Sequence, residues 1–452
     1  MHKFVMSTVF MAGIVICLLS PVGADPIRID ATVLKNIQDT ILLSQERTQK
    51  RALTEVEINN YRDLISLQVE RLMRENAYSA SDLQDLLISG DLTQEFDAYF
   101  EAKSYLDSLP ASETYINLSN RKLVFLPPLE RFTELEQIDL SFTQLSSLKD
   151  LRNLKSLQRL YINHTPLSSL DGIESFGNLE TLDVSWTNIT STHGINRCAH
   201  LKDLNLSGTE IESLEGLRGL SQLEKLQLAW TPITSLLGLD TLINLRELYV
   251  EWSPIVSFRG IERLSKLTTL DAPYTEITSL QGTETLVNLK NLRIAHSSIA
   301  SLQGIEKLAK LEELEARYTP LTSIAGLEKL QNLNRLVISN TLISSIAGLE
   351  VLPHLTDIRL ANTSISSTQD LEKFTRLEWL DISDTKITSL KGLDRLNQLK
   401  VLYAERTPIT SIQSLETLPH LEEIFLYGTH ISPHSMRNSF KIIMKRECNI
   451  YL

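Results

Sequence analysis

Cysteine is almost missing from this chain, with three residues in 452, at Cys17, Cys198 and Cys448. So thin a supply excludes a disulfide-stapled scaffold, and stability has to come from a buried apolar core. Positive charge is also short. Lys and Arg number 44 against 56 Asp and Glu, a net charge of −12. Nucleic-acid backbones are gripped by concentrated Lys and Arg, so this balance excludes a nucleic-acid partner. An acidic surface instead keeps an elongated chain soluble. Aromatic residues are only 6% of the chain, so any place that collects them stands out. There is no Gly-rich phosphate loop and no paired set of metal ligands, and nucleotide, cofactor and metal chemistry therefore lack their carriers.

What is present begins with residues 1–24, which have the form of a secretory signal. Lys3 supplies the positive start, an apolar run follows from Phe4 to Leu19, and Val22-Gly23-Ala24 is a small-residue cleavage site. The run is short for a spanning helix and Pro21 breaks it, so no membrane span is expected after cleavage. Ile16 before Cys17 does not fit a lipidation site, which needs a small residue there. Cys198 and Cys448 remain, about eleven repeats and roughly 50 Å apart at the strand spacing of stacked repeats, too far for a disulfide. Residues 25–110 have helical signals. Thr54-x-x-Glu57 is a capping box ahead of Ile58, Tyr61, Leu64, Ile65 and Leu72. Ser81-x-x-Gln84 is expected to start a short helix that Gly90 ends, and Asp91-x-x-Gln94 another that Pro110 closes. Such helices would cover the apolar end of a repeat array, with a separate docking module as the alternative.

From Ile116 the chain repeats every 22 residues, through Ile138, Leu160 and onward to Ile424, in fifteen units without insertion or deletion. The consensus is L-x-x-L-x-x-L-x-L-x-x-T-x-I-x-S-L-x-G-L. Its L-x-L core alternates with period 2, giving a short strand with leucines inward and the middle residue outward. The Thr position is expected to bond backbone freed at the strand end and to hold neighbouring turns together. The remainder is too short for a long helix and should form helical or 3₁₀ turns on the convex side, leaving a parallel sheet on a concave face. The fold class is therefore an α/β repeat solenoid with an N-terminal helical cap. It divides into helices over 25–110, repeats over 111–432 and a C-terminal cap over 433–452.

Units such as LDISDTKITSLKGLDRLNQL resemble the 22-residue class of leucine-rich repeat found in bacterial internalins. The resemblance covers about 70% of the chain, from Tyr115 to Ser432. It implies an exported bacterial protein that binds another protein and is not an enzyme. The chain departs from internalins in using Thr where they use Asn in the ladder. It also shows no sorting motif, wall-binding module or immunoglobulin-like continuation.

The outward columns carry the candidate site. One residue before the Thr ladder lie Phe142, His164, Trp186, Gly208, Trp230, Trp252, Tyr274, His296 and Tyr318, followed by Asn340, Asn362, Asp384 and Arg406. Three of the four tryptophans fall in this column. Trp, Tyr and Arg dominate binding hot spots, although an aromatic ladder packed on its own neighbours accounts for the same pattern. Strict alternation would turn this column inward, so its exposure depends on how the chain leaves each strand. Tyr249, Glu251, Arg293 and Arg317 flank it on neighbouring columns, where charge changes from acidic to mixed along the stack. The expected ligand-binding set is Trp186, Trp230, Trp252, Tyr274, Tyr318, Tyr249, Glu251, Arg293 and Arg317. The expected ligand is a protein, with a glycan stacked on the rings, or an envelope scaffold docking through the N-terminal helices, as the alternatives. Asp139, His164 and Ser185 have hydrolase-like types, but an open sheet offers no oxyanion donors or dry pocket. His193, Cys198 and His200 have metal-like types, yet Cys198 takes a repeat position held elsewhere by Leu154, Phe176 and Leu220. The sequons at Asn117, Asn163, Asn188, Asn205 and Asn362 are expected by chance in so Ser/Thr-rich a repeat.

Overall fold

A computed structural model describes residues 29–75, 78–432, 439, 441–443 and 448–452, with short strand segments at Phe4–Val5, Ser7–Met11, Ile14–Leu18 and Asp25–Pro26. The expected cleavage site, Val22–Ala24, and much of the expected C-terminal cap lie outside the described residues. The chain divides into two compact units, Met1–Phe176 and Gly177–Leu452.

Among the described residues of the first unit four helices precede the repeats: α1 (Ala31–Gln49), α2 (Glu55–Glu75), α3 (Ala80–Ser89) and α4 (Asp91–Ser108). The Thr54 capping box of α2 is formed, with Thr54 N–H donating to Glu57 Oε2 at 2.8 Å and Glu57 N–H to Thr54 Oγ1 at 3.3 Å. Helix α3 starts two residues earlier than Ser81-x-x-Gln84 suggests. Ser79 is its N-cap and Asp82 returns the bond, because a charged carboxylate is the stronger acceptor for the free N–H. Gly90 then takes a left-handed φ of 84°, which lets α4 follow without a linker. Leu34, Ile37 and Ile41 of α1, Ile65, Val69 and Leu72 of α2, and Phe96 and Tyr99 of α4 are buried together. Arg71 of α2 pairs with Asp150 at 2.8 Å, and Asp150 also accepts the Leu126 N–H, so α2 is fastened to the unit's own repeats. Those repeats contribute three parallel strands, Tyr115–Asn117, Gln137–Asp139 and Arg159–Tyr161.

Among its described residues the second unit carries thirteen strands of three residues each, from Thr181–Asp183 to Asn449–Tyr451. They pair in parallel in chain order, and the register advances by one repeat at each step, as in Leu226↔Leu248 and Leu248↔Leu270. The final pairing, Ile424↔Ile450, breaks the 22-residue spacing, so the last strand is outside the repeat legible in the sequence. Central leucines such as Leu204, Leu226 and Leu248 are fully buried, and their neighbours face out. Short 3₁₀ turns such as Ile195–Arg197, Ile305–Lys307 and Leu327–Lys329 return the chain, several after a glycine with φ near 100°. At Gly260 a Cβ would stand 2.4 Å from the Leu236 carbonyl oxygen, so the turn demands glycine for space as well as for φ. Cys198 is fully buried in this core.

The Thr ladder bonds backbone carbonyls at the strand ends, as expected, but does not tie neighbouring turns together. From Thr143 to Thr407 the Thr hydroxyls donate to the carbonyl three residues back in their own unit: Thr187 to Val184 at 2.6 Å, Thr209 to Leu206 at 2.6 Å, Thr319 to Ala316 at 2.6 Å. The short side chain reaches only its own strand end. Adjacent units are held by backbone bonds instead, such as Trp186 N–H to the Ser207 carbonyl at 2.7 Å and Trp230 N–H to the Glu251 carbonyl at 2.9 Å. Ser253 is the exception, donating across units to the Leu228 carbonyl at 2.9 Å.

Candidate functional site

The aromatic column owes its position to a repeated backbone event. Trp186, Trp230, Trp252, Tyr274, His296 and Tyr318 all have φ between 55° and 59°. That left-handed step costs an L-residue about 1–2 kcal/mol, and it reverses the alternation that would have turned the side chain into the core. The Thr or Ser that follows takes the inward place and is buried. The rings consequently stand outside, with Trp186, Trp230, Trp252, Tyr274 and Tyr318 between 38% and 50% exposed.

Outside the core, the rings bind one another. Trp230, Trp252, Tyr274, His296 and Tyr318 form a continuous stack with centroids 3.7 to 4.5 Å apart and planes within 16° of parallel. Each such contact contributes about 0.5–1.5 kcal/mol beyond burial, which offsets the left-handed strain. Faces are therefore covered and edges exposed. Gly208 interrupts the stack: a Cβ there would lie 2.6 Å from the Trp186 ring, which occupies the space and meets Trp230 at 6.5 Å, tilted by 40°. Downstream the same column is satisfied by polar pairs, Asn362 Nδ2 donating to Asn340 Oδ1 at 2.7 Å and Arg406 pairing with Asp384 at 2.6 Å. In the first unit Phe142 and His164 stack at 4.3 Å.

The flanking residues form a second ladder on the strands. The register places Tyr249, Asp271, Arg293 and Glu315 side by side. Arg293 bridges Asp271 at 3.2 Å and Glu315 at 3.8 Å, and Arg317 holds Glu315 at 2.6 Å. Asp271, absent from the expected set, is only 9% exposed, and burial raises its carboxyl pKa despite Arg293. Burial also raises Glu251, whose Oε2 has no hydrogen-bond partner among the described residues, and nearby Asp271 adds to the shift. The Tyr249 hydroxyl donates to Glu247 at 3.0 Å and is pushed up to about 12, first by burial and then by that bond. His296 is lowered by burial and by Arg317, so the stack carries a neutral imidazole near neutrality. The nine expected residues thus lie in adjoining columns of the second unit: Trp230, Trp252, Tyr274 and Tyr318 in the ring stack, Trp186 in the same column beyond the interruption at Gly208, and Tyr249, Glu251, Arg293 and Arg317 on the columns beside it.

A further aromatic row escaped the sequence reading. Tyr403, Phe425 and Tyr451 stack on the strands at 4.3 and 4.4 Å, Trp379 meets Tyr403 at 5.5 Å, and Arg359 lies 5.2 Å over Trp379. Tyr403 and Phe425 share a column at the repeat spacing, which was a usable signal. Tyr451 enters from the strand that breaks the period, and no spacing rule points to it.

The residues with hydrolase-like types have structural engagements of their own. Asp139 accepts the Ser141 N–H at 2.9 Å, His164 lies on Phe142, and Ser185 donates to Asp183 at 2.7 Å. Among the described residues no group of three or more His, Cys, Asp or Glu is placed to hold a metal ion.

This architecture, with one short parallel strand and one tight return per repeat, is that of the leucine-rich-repeat proteins. The fold is similar to that of a leucine-rich-repeat protein of Leptospira interrogans, with a TM-score of 0.68, 23% identity, and coverage of 77% of this chain and 98% of that one. It is also similar to the internalin InlF of Listeria monocytogenes, with a TM-score of 0.57, 18% identity, and coverage of 79% and 94%. A third similar structure is the ectodomain of a plant membrane receptor kinase from Arabidopsis thaliana in complex with Casparian strip integrity factor 2, with a TM-score of 0.54, 16% identity, and coverage of 73% and 47%. No family model and no curated protein sequence matches the chain. Among the described residues no helix is long and apolar enough to cross a membrane.

Proposed function

We propose that this is an exported, non-enzymatic binding protein that holds a protein partner on the strand-bearing, concave face of its second unit. The observation that carries the reading is the ring stack from Trp230 to Tyr318, half-exposed and fixed by mutual contact beside the Asp271–Arg293–Glu315–Arg317 ladder. Rigid aromatics lose little entropy on binding, and a fixed charge row sets the partner's orientation. The plant receptor ectodomain of similar fold is in complex with a factor, which supports a ligand-binding reading. A glycan reading is favoured less, because sugar rings stack on aromatic faces and here the interior faces are covered by neighbouring rings. Affinity capture from the source organism's envelope and culture medium, run beside a glycan array, tests the proposal. A protein captured by the wild type and lost with Arg293→Glu supports it. Glycan binding without a captured protein contradicts it.

A further inference from the structure

The helices of the first unit enclose a cleft that the binding face does not involve. The C-terminal half of α1, the loop after it, α2 and α4 line a space of about 870 Å³. That size lies within the range of small-ligand sites. Its apolar lining is Leu64, Phe100 and Tyr61, and Phe100 is buried with the Tyr61 ring edge-on at 4.6 Å.

Charge in the cleft is unevenly satisfied. Arg51 is engaged by Glu57 at 2.6 Å and Lys103 by Asp107 at 2.6 Å, so both lining cations are neutralised within the wall. Asp97 is different. It accepts Ser44 Oγ at 2.9 Å and Gln45 Nε2 at 2.7 Å, both neutral donors from α1, and no cation pairs with it among the described residues. Those bonds hold the half-buried carboxylate in place without cancelling its charge. Glu101, one helical turn on and paired with Arg121 at 3.8 Å, lines the same cleft, and Phe100 lies on the other side of Asp97 on that face of α4. A fixed, uncompensated carboxylate beside an aromatic floor is complementary to a cation on an apolar stem.

We infer that the cleft between α2 and α4 is a binding site for an organic cation, an ammonium or guanidinium on an apolar or aromatic stem, with Asp97 as its counter-ion and Phe100 and Tyr61 under the stem. The site belongs to the helical unit and is independent of the strand-face reading. Calorimetric titration of the full chain with 2-phenylethylamine, 2-phenylethanol and phenylacetate tests it. The amine binds, the alcohol binds at least tenfold more weakly and the carboxylate does not bind. Asp97→Asn keeps an acceptor for Gln45 and lowers amine affinity at least tenfold. Glu101→Gln, at an exposed position where folding is not at risk, lowers it severalfold. Agmatine and N-acetyl-argininamide separate the two sources of such a cation: tighter agmatine binding points to a free amine, tighter amide binding to a polypeptide side chain. Equal binding of amine and alcohol, amine binding indifferent to both variants, or no binding of any cation would overturn the inference.

Discussion

At the residue scale the telling feature is a bulky ring placed where the backbone favours glycine or asparagine. The column uses Gly208, Gly428, Asn340 and Asn362 at the same left-handed φ, so the aromatic residues are chosen against local preference. Stacking is what makes them tolerable. Tyr274→Gly and Tyr274→Ala both delete the contacts to Trp252 and His296, but only alanine keeps the backbone strain. Urea unfolding should therefore show the alanine variant less stable than the glycine variant by about 1 kcal/mol, the reverse of the usual order inside regular structure. Gly208→Ala should displace the Trp186 ring, costing about 1–3 kcal/mol, with a change in tryptophan fluorescence. The composition of the column was legible in the sequence. Its exposure was not, because alternation points Trp230 inward and only the positive φ turns it out.

At the element scale, Thr54 and Gly90 act where the sequence puts them, whereas α3 starts two residues early at Ser79 and α4 begins on Gly90 with no side-chain cap in place of an Asp91 box. Asp82 answering Ser79 is the case where one acceptor outcompetes another. Helix α4 carries a buried feature that no periodicity reveals. Glu95 Oε2 is buried without a hydrogen-bond partner among the described residues, and burial, reinforced by Asp91, pushes the carboxyl up to about 7 against the weaker pull of Lys122. The folded state therefore holds a proton that the unfolded chain releases near its ordinary value of 4.5. Its contribution to stability is complete below that value and is lost as pH rises toward 7. Glu95→Gln should remove this slope and stabilise the protein above pH 7 by roughly 1–2 kcal/mol, discounted for partial exposure, as read from melting across pH. A variant that keeps the same pH slope would show that the proton sits elsewhere.

At the scale of the whole molecule, the 22-residue period specifies strand, return and core, because every inward Leu or Ile recurs in register. Three things remained illegible. The Thr hydroxyls close within their own unit because backbone N–H groups at the left-handed positions already join neighbours. The last strand, Asn449–Tyr451, pairs outside the period and extends an aromatic row. Asp271 is buried by its neighbours on the strand face, which no count along the chain discloses. The claim that the ring stack is a recognition surface as well as a structural one comes down to a single comparison. The affinity of the captured partner is measured for wild type, for Trp230→Ala with Trp252→Ala, and for Leu264→Ala, which opens a cavity on the side of the 3₁₀ turns. The ring variant should weaken binding by about 2–4 kcal/mol, roughly thirty- to a thousandfold, while Leu264→Ala loses stability but binds as wild type. Equal affinities for all three, or the same loss in both variants, would leave the stack as scaffold alone.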